Sequence, residues 1–265
     1  MRTKVIAEVA SNHGGDIKLA KEFIRLGADV GVDFVKFQSW QASKMSPQDS
    51  QYDWFKKSEL SDAAHDELKA ECDMRGVGFL TTVFDRGRVD FLARLTPAIL
   101  KVGSADTMNL DLLRAIKGRF EHLLVSTGMA TDSEIAEAAK TLAGTSFSFF
   151  HTLSLYPTPL EENNLRRMDW LKQFTPSVGY SDHTIGIDAV KMAIDREAAY
   201  VEKHFCLSAE GPGRVCEWDA TPKMFEEIVK YTTRAETMLG SGKFQSSPPL
   251  EAARKRFIGR FSHSK

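Results

Sequence analysis

Residues 178–206 read VGYSDHTIGIDAVKMAIDREAAYVEKHFC. Two short β-rich runs, Val178–Asp182 and Tyr200–Cys206, flank a helical pattern over Ile187–Arg196. The first run ends in Ser181-Asp182-His183, and the second carries Glu202-Lys203-His204. Runs this short and this apolar, separated by a helix, are the pattern of buried parallel strands.

The same alternation extends through the chain about eight times. The other strand candidates are Val5–Ala10, Phe34–Ser39, Gly78–Val83, Ile99–Gly103, His122–Ser126 and Ser146–Thr152. Helical patterns fall between and after them at Ile17–Val30, Ser61–Arg75, Arg86–Leu95, Asn109–Lys117, Asp132–Leu142, Glu161–Phe174 and Pro222–Leu239. Thr131-x-x-Glu134 reads as a capping box, and Thr221-Pro222 places a cap before an N1 proline. Eight strand–helix units predict an α/β fold, a single-domain (β/α)8 TIM barrel, in preference to an open doubly wound sheet. The barrel is expected over residues 1–240 and a linker-like tail over residues 241–265. The linker-like stretch is Gly240–Pro249 (GSGKFQSSPP), and it leads into a basic tail, Glu251–Lys265, read as a solvated terminal helix or a disordered end. The long loop Trp40–Leu60, with Tyr52, Trp54 and Phe55, either contributes to a lid or subunit contact or packs on the outer helices.

The chain of 265 residues is 42% hydrophobic and 27% charged, the balance of an ordinary soluble globular protein. A net charge of −1 gives no global field to recruit nucleic acid or an anionic membrane. An anionic ligand must therefore be held by a local cluster of donors. The opening MRTKVIAEVASNHGG is neither a signal peptide nor a transit sequence, and no apolar run is long enough for a membrane helix. Cys72, Cys206 and Cys216 lack CxxC spacing, which fits a reduced, cytoplasmic protein without a cysteine metal site.

Active sites in this fold lie at the C-terminal ends of the strands. Lys36, Lys101 and Lys203 interrupt apolar runs there, and a lysine in that setting needs a counter-charge or an anion. Period-two alternation turns Lys203 away from the side shared by Glu202 and His204. Lys36 and Lys101, near serine and threonine hydroxyls, form either internal ion pairs or a site for a phosphate plus a carboxylate. Glu8 and Glu202 are strand-end carboxylates, suited either to acid–base work or to structural pairing with lysine. His13, His151, His183 and His204, four of seven histidines, are expected at the barrel mouth, as a metal or proton-transfer site or as ordinary buried histidines. No GxxxxGK[ST] or GxGxxG fingerprint supports a nucleotide site.

In these residues the sequence resembles the sialic acid synthase (NeuB-type) family. The matching segments are IAEVASNHGG (6–15), VKFQ (35–38), FLTTVFD (79–85), LKVGSAD (100–106), LLVSTGMAT (123–131), HTLSLYPTP (151–159), VGYSDHTIGI (178–187) and VEKHF (201–205). The resemblance implies condensation of phosphoenolpyruvate with N-acetylmannosamine or a related acetamido sugar, giving a 2-keto sugar acid. It further implies a divalent metal, Mn2+ or Mg2+, and a homodimer. Carried over by position, Lys36, Thr82, Lys101, Ser104, Ser126, Ser154 and Ser181 match the phosphoenolpyruvate-binding residues. Glu8, Gln38, Tyr156 and Glu202 match positions acting on the sugar or on proton transfer, and His183 and His204 match metal ligands.

Several departures fall on the acceptor side. Ser104-Ala105-Asp106 stands where the family pattern has Ser-Gly-Glu, and Gly211-Pro212-Gly213 where it often has Gly-Pro-Asp. Strand three reads Thr81-Thr82-Val83-Phe84 instead of a Thr-Pro-Phe pattern. The small antifreeze-like (SAF) domain that follows the barrel in typical members is not part of this sequence. Two other readings remain: a Schiff-base aldolase acting through a strand lysine, and a non-catalytic barrel serving as a binding or regulatory subunit.

Overall fold

The computed structural model describes residues 2–258 and residue 260. Eight parallel strands close into a barrel in chain order, with a helical segment after every strand. They are β1 (Lys4–Ala10), β2 (Phe34–Ser39), β3 (Gly78–Val83), β4 (Ile99–Val102), β5 (His122–Ser126), β6 (Phe147–His151), β7 (Val178–Asp182) and β8 (Tyr200–His204). The helices are α1 (Ile17–Asp29), α2 (Tyr52–Ser58), α3 (Asp62–Arg75), α4 (Val89–Leu95), α5 (Leu110–Ile116), α6 (Asp132–Thr141), α7 (Arg167–Leu171), α8 (Asp188–Asp195), α9 (Pro222–Leu239) and α10 (Pro248–Phe257). The expected barrel is thus present, and each of the eight strands lies where the sequence reading put it.

Local chemistry sets the helix starts. Asp16 caps α1 by accepting from the N–H groups of Lys18 and Leu19. Thr131 and Glu134 form the reciprocal capping box of α6, and Thr221 caps α9 ahead of Pro222. Two differences from the sequence reading stand out. The pattern over Glu161–Phe174 yields only the short α7, because Leu160–Glu162 forms a 3-10 turn and Asn164 takes a left-handed conformation at φ 43°. The loop Trp40–Leu60 holds α2, whose Trp54 donates from Nε1 to Ser11 Oγ at 3.0 Å, so the aromatic segment folds onto the barrel rim. Helix α10 buries no residue, and residues 259 and 261–265 of the tail lie outside the described residues. No described helix is long and apolar enough to cross a membrane.

The barrel interior is built in layers, as period-two strands require. Its floor is a plug of Ile6, Leu80, Ile99, Leu124 and Phe150, with Phe34 and Tyr200 packed against it. Gly179 makes room for this plug, since a β-carbon there would sit 2.6 Å from the Phe150 ring. Two residues farther along, the same strands present Glu8, Lys36, Thr82, Lys101, Ser126, Ser181 and Glu202. The large apolar core lies outside the barrel, between the strands and the helices. Polar groups on the inner face therefore have only one another, and whatever enters from the C-terminal mouth, as partners.

Candidate active site

One cavity opens at the C-terminal end of the barrel. Its wall includes Glu8, Lys36, Gln38, Thr82, Lys101, Ser104, Ser126, Ser154, Tyr156, Ser181, Glu202, His183 and His204, together with Phe84, Met129 and Thr152. The residues that the family resemblance matched to substrate, proton transfer and metal thus all face one space. Asp106 is not on that wall. Met129 and Thr152 come from the β5 and β6 loops; the alternation through Phe150 predicts the inward turn of Thr152, whereas nothing in the sequence marks Met129.

The four charged groups of the polar layer are buried and interlocked. Lys36 Nζ donates to Thr82 Oγ1 at 2.9 Å and lies 2.9 Å from Glu8 Oε2 and 3.6 Å from Glu202 Oε1. Lys101 Nζ donates to Ser126 Oγ at 2.7 Å and to Glu202 Oε2 at 3.2 Å, and it sits 4.6 Å from the centre of the Phe150 ring. Ser181 Oγ donates to Glu202 Oε1 at 3.0 Å, and Gln38 Nε2 donates to Glu8 Oε1 at 2.9 Å. Glu8 Oε2 meets Lys36 as a buried ion pair and has no other partner among the described residues. Ser104 Oγ accepts from the Gly128 N–H at 3.2 Å on the β4–β5 side of the mouth.

Burial and charge drive the two carboxylates apart. Burial, aided by the negative charge of Glu202, outweighs the attraction of Lys36 and raises Glu8 to about 7. Burial also works against ionised Glu202, but Lys101 and Lys36 overcome it and hold this group at about 2. Burial opposes the charge of Lys36, yet Glu202 and Glu8 raise its pKa above the ordinary value. Burial dominates at Lys101 and brings it to about 8, Glu202 compensating only in part. At neutral pH the layer holds two ammonium groups, one committed carboxylate and one poised carboxyl, an arrangement with room for an added anion.

His183 and His204 stand on the rim above this layer, with ring centres 5.5 Å apart. His183 Nδ1 donates to the Leu153 carbonyl at 2.7 Å, which leaves Nε2 as the lone-pair nitrogen. Burial lowers His183 to about 4 and, together with the neighbouring His183, lowers His204 well below its usual range. Both are therefore neutral imidazoles, the form that ligates metal. Tyr156 lies over His183 at 4.1 Å between ring centres. No group of three or more His, Cys, Asp or Glu among the described residues is placed to hold a metal.

The other expected mouth residues point elsewhere. His13 accepts at Nδ1 from the Gly15 N–H in the turn after β1 and packs edge-on against Phe37. His151 is bonded through Nε2 to the Asn163 carbonyl at 2.6 Å, on the outward side of β6. Lys203 also faces outward, with Nζ 2.6 Å from Asp182 Oδ2 and 2.7 Å from the Thr184 carbonyl.

A family model described as NeuB matches residues 23–244. An uncharacterised protein of Methanocaldococcus jannaschii is 37% identical over 248 residues, which span 91% of this chain and 73% of that one. The N,N'-diacetyllegionaminic acid synthase of Campylobacter jejuni is 35% identical over 262 residues, spanning 91% of this chain and 78% of the synthase. Among solved structures, an N-acetylneuraminic acid synthetase of Leptospira borgpetersenii with citrate bound superposes with a TM-score of 0.92 at 28% identity. That match covers 100% of this chain and 94% of the other.

Proposed function

The chain belongs to the NeuB family, and from that premise we propose that it condenses phosphoenolpyruvate with a sugar aldehyde. The acceptor is N-acetylmannosamine or a related acetamido sugar, and the products are a 2-keto sugar acid and phosphate. The observation that carries this reading is the pair of buried ammonium groups, Lys36 and Lys101, facing one cavity beneath two neutral imidazoles.

In this reading Lys36 and Lys101 hold the phosphate and carboxylate of the donor. Hydroxyls of Thr82, Ser104, Ser126, Ser154 and Ser181 complete its hydrogen bonding. Glu202, kept ionised, holds both ammonium groups charged and oriented. Gln38 and Tyr156 stand on the acceptor side and fix the aldehyde carbon against C3 of the donor. Glu8 accepts the proton of the water that adds at C2, for which a group near 7 is matched to neutral pH. Loss of phosphate by C–O cleavage then leaves the ketone, and the two lysines stabilise the negative charge moving onto the leaving group.

The family's divalent ion fits the rim. Two neutral imidazoles, one fixed through Nδ1, make an open site whose remaining positions are left to water and substrate. His183 and His204 would hold the ion, and when bound it would polarise the acceptor carbonyl.

The test is a screen of acetamido aldoses with phosphoenolpyruvate and Mn2+, reading released phosphate and product mass. Activity should vanish in EDTA and return with Mn2+ or Mg2+. Turnover by fully demetallated protein, or a borohydride-trapped pyruvate adduct on Lys36 or Lys101, would contradict the reading.

A further inference from the structure

The cavity does not end at His204. Gln38, Tyr156 and His204 also line a second cleft, closed on its far side by Phe55 of α2 and by Arg214 and Trp218 of the loop between β8 and α9. Arg214 in turn borders an outer groove with Trp54 and Lys57. Neighbouring spaces share wall residues, so they lie in series from the rim histidines past Tyr156 and Trp218, whose ring centres are 5.5 Å apart, to Arg214.

The far end of that series is cationic. The Arg214 guanidinium lies 5.7 Å from the centre of the Trp54 ring, and the Lys57 ammonium lies 5.8 Å from it. Neither cation forms an ion pair with a carboxylate among the described residues; Arg214 bonds to the Cys216 side chain, and Asp219 of the same loop attracts it. No carboxylate among the described residues lines the second cleft. The acid on the wall of the outer groove, Asp16, is engaged by the first N–H groups of α1.

The base of Arg214 is also fixed, although its side chain is open to solvent. Its backbone N–H donates to the Asn12 carbonyl at 3.0 Å. The preceding Gly213, at φ +88°, lies so close that a β-carbon would fall 2.2 Å from the same carbonyl oxygen. Only glycine lets this loop lie flat on the turn after β1. Gly213 thus seats Arg214 on this turn without adding a charge of its own.

Resting on the condensation reading above, we propose that the acceptor carries a phosphate at the end remote from its aldehyde, and that Arg214 binds that phosphate. With its carbonyl at His183 and His204, the sugar lies along Tyr156 and Trp218, and its last carbon points to Arg214. A planar guanidinium matches phosphate oxygens in pairs. Lys57 adds charge at the mouth and draws the anion in.

Steady-state kinetics with N-acetylmannosamine, its 6-phosphate and a 6-deoxy analogue, all at saturating phosphoenolpyruvate, test this. The wild type should show a kcat/KM about tenfold or more higher for the phosphate ester than for the neutral sugar, as a charge-assisted contact implies. Arg214→Gln should lower that ratio by about tenfold or more, through KM. Lys57→Gln should lower it less, and added salt should shrink the preference. Equal or better use of the neutral or 6-deoxy sugar would overturn the inference, as would an unchanged ratio in Arg214→Gln. Turnover with neutral acceptors alone sinks only this inference; no phosphate release with any acceptor sinks the condensation reading itself.

Discussion

Three influences meet at the Glu8 carboxyl: burial, the Lys36 ammonium 2.9 Å away, and the negative charge of Glu202. Burial wins, and the group titrates near 7 while Glu202, more closely held by two lysines, stays ionised. A raised carboxyl is protonated below its pKa and able to accept a proton above it. The rate kcat/KM should therefore rise through about pH 7, then fall as Lys101 loses its charge near 8. Glu8→Gln should remove the rising limb and lower kcat by about 10²–10⁴-fold; an unaltered limb would transfer the proton step to another group. Lys36→Ala and Lys101→Ala should each weaken phosphoenolpyruvate binding by about 1.5–3 kcal/mol, as for hydrogen bonds to charged groups. Calorimetric affinities like the wild type in both would remove the lysines from the donor site. These residues were legible in the sequence because lysine and glutamate in apolar strands are costly enough to demand a reason. Arg214 was not, since an exposed arginine in a loop carries no such signal and its place depends on two loops meeting.

At the scale of the strand, one alternation explains most of the site. In β8, Glu202 and His204 face inward and Lys203 outward, as the spacing predicts. The same parity places Phe150 and Thr152 inside and His151 outside, so grouping His151 with the mouth histidines ran against the period of its own strand. His13 is beyond the reach of that rule, because it lies in a turn whose geometry only the fold determines. Helix α2 was hidden for a related reason: it is short, and its aromatic residues are held by contacts with the rim more than by a periodic face of their own. The strand rule also yields a test beneath the site. Gly179→Ala would place a β-carbon 2.6 Å from the Phe150 ring, forcing the plug under Lys101 to shift. It should cost about 1–3 kcal/mol in denaturant unfolding, as overpacking does. Phe150→Leu in the same chain should recover part of that loss. Full stability of the single variant would mean that the plug is less tightly packed than the barrel layers indicate.

Across the whole molecule, the barrel collects side chains from all eight strands or the loops that follow them into one cavity, which is why no single segment displays the site. Its architecture was readable because parallel strands buried on both faces leave near-continuous apolar runs separated by helices. The series of spaces from cavity to outer groove was not, because it is formed by segments distant in sequence. Within this architecture the central claim is a bond-making step at C3 of phosphoenolpyruvate followed by water addition at C2, with the donor's own C–O bond broken. Phosphoenolpyruvate labelled with ¹⁸O in its bridging oxygen tests that claim most directly, with the released phosphate and the keto acid both weighed by mass spectrometry. The label should leave with phosphate; label retained in the keto acid would mean P–O cleavage and would contradict water addition at C2.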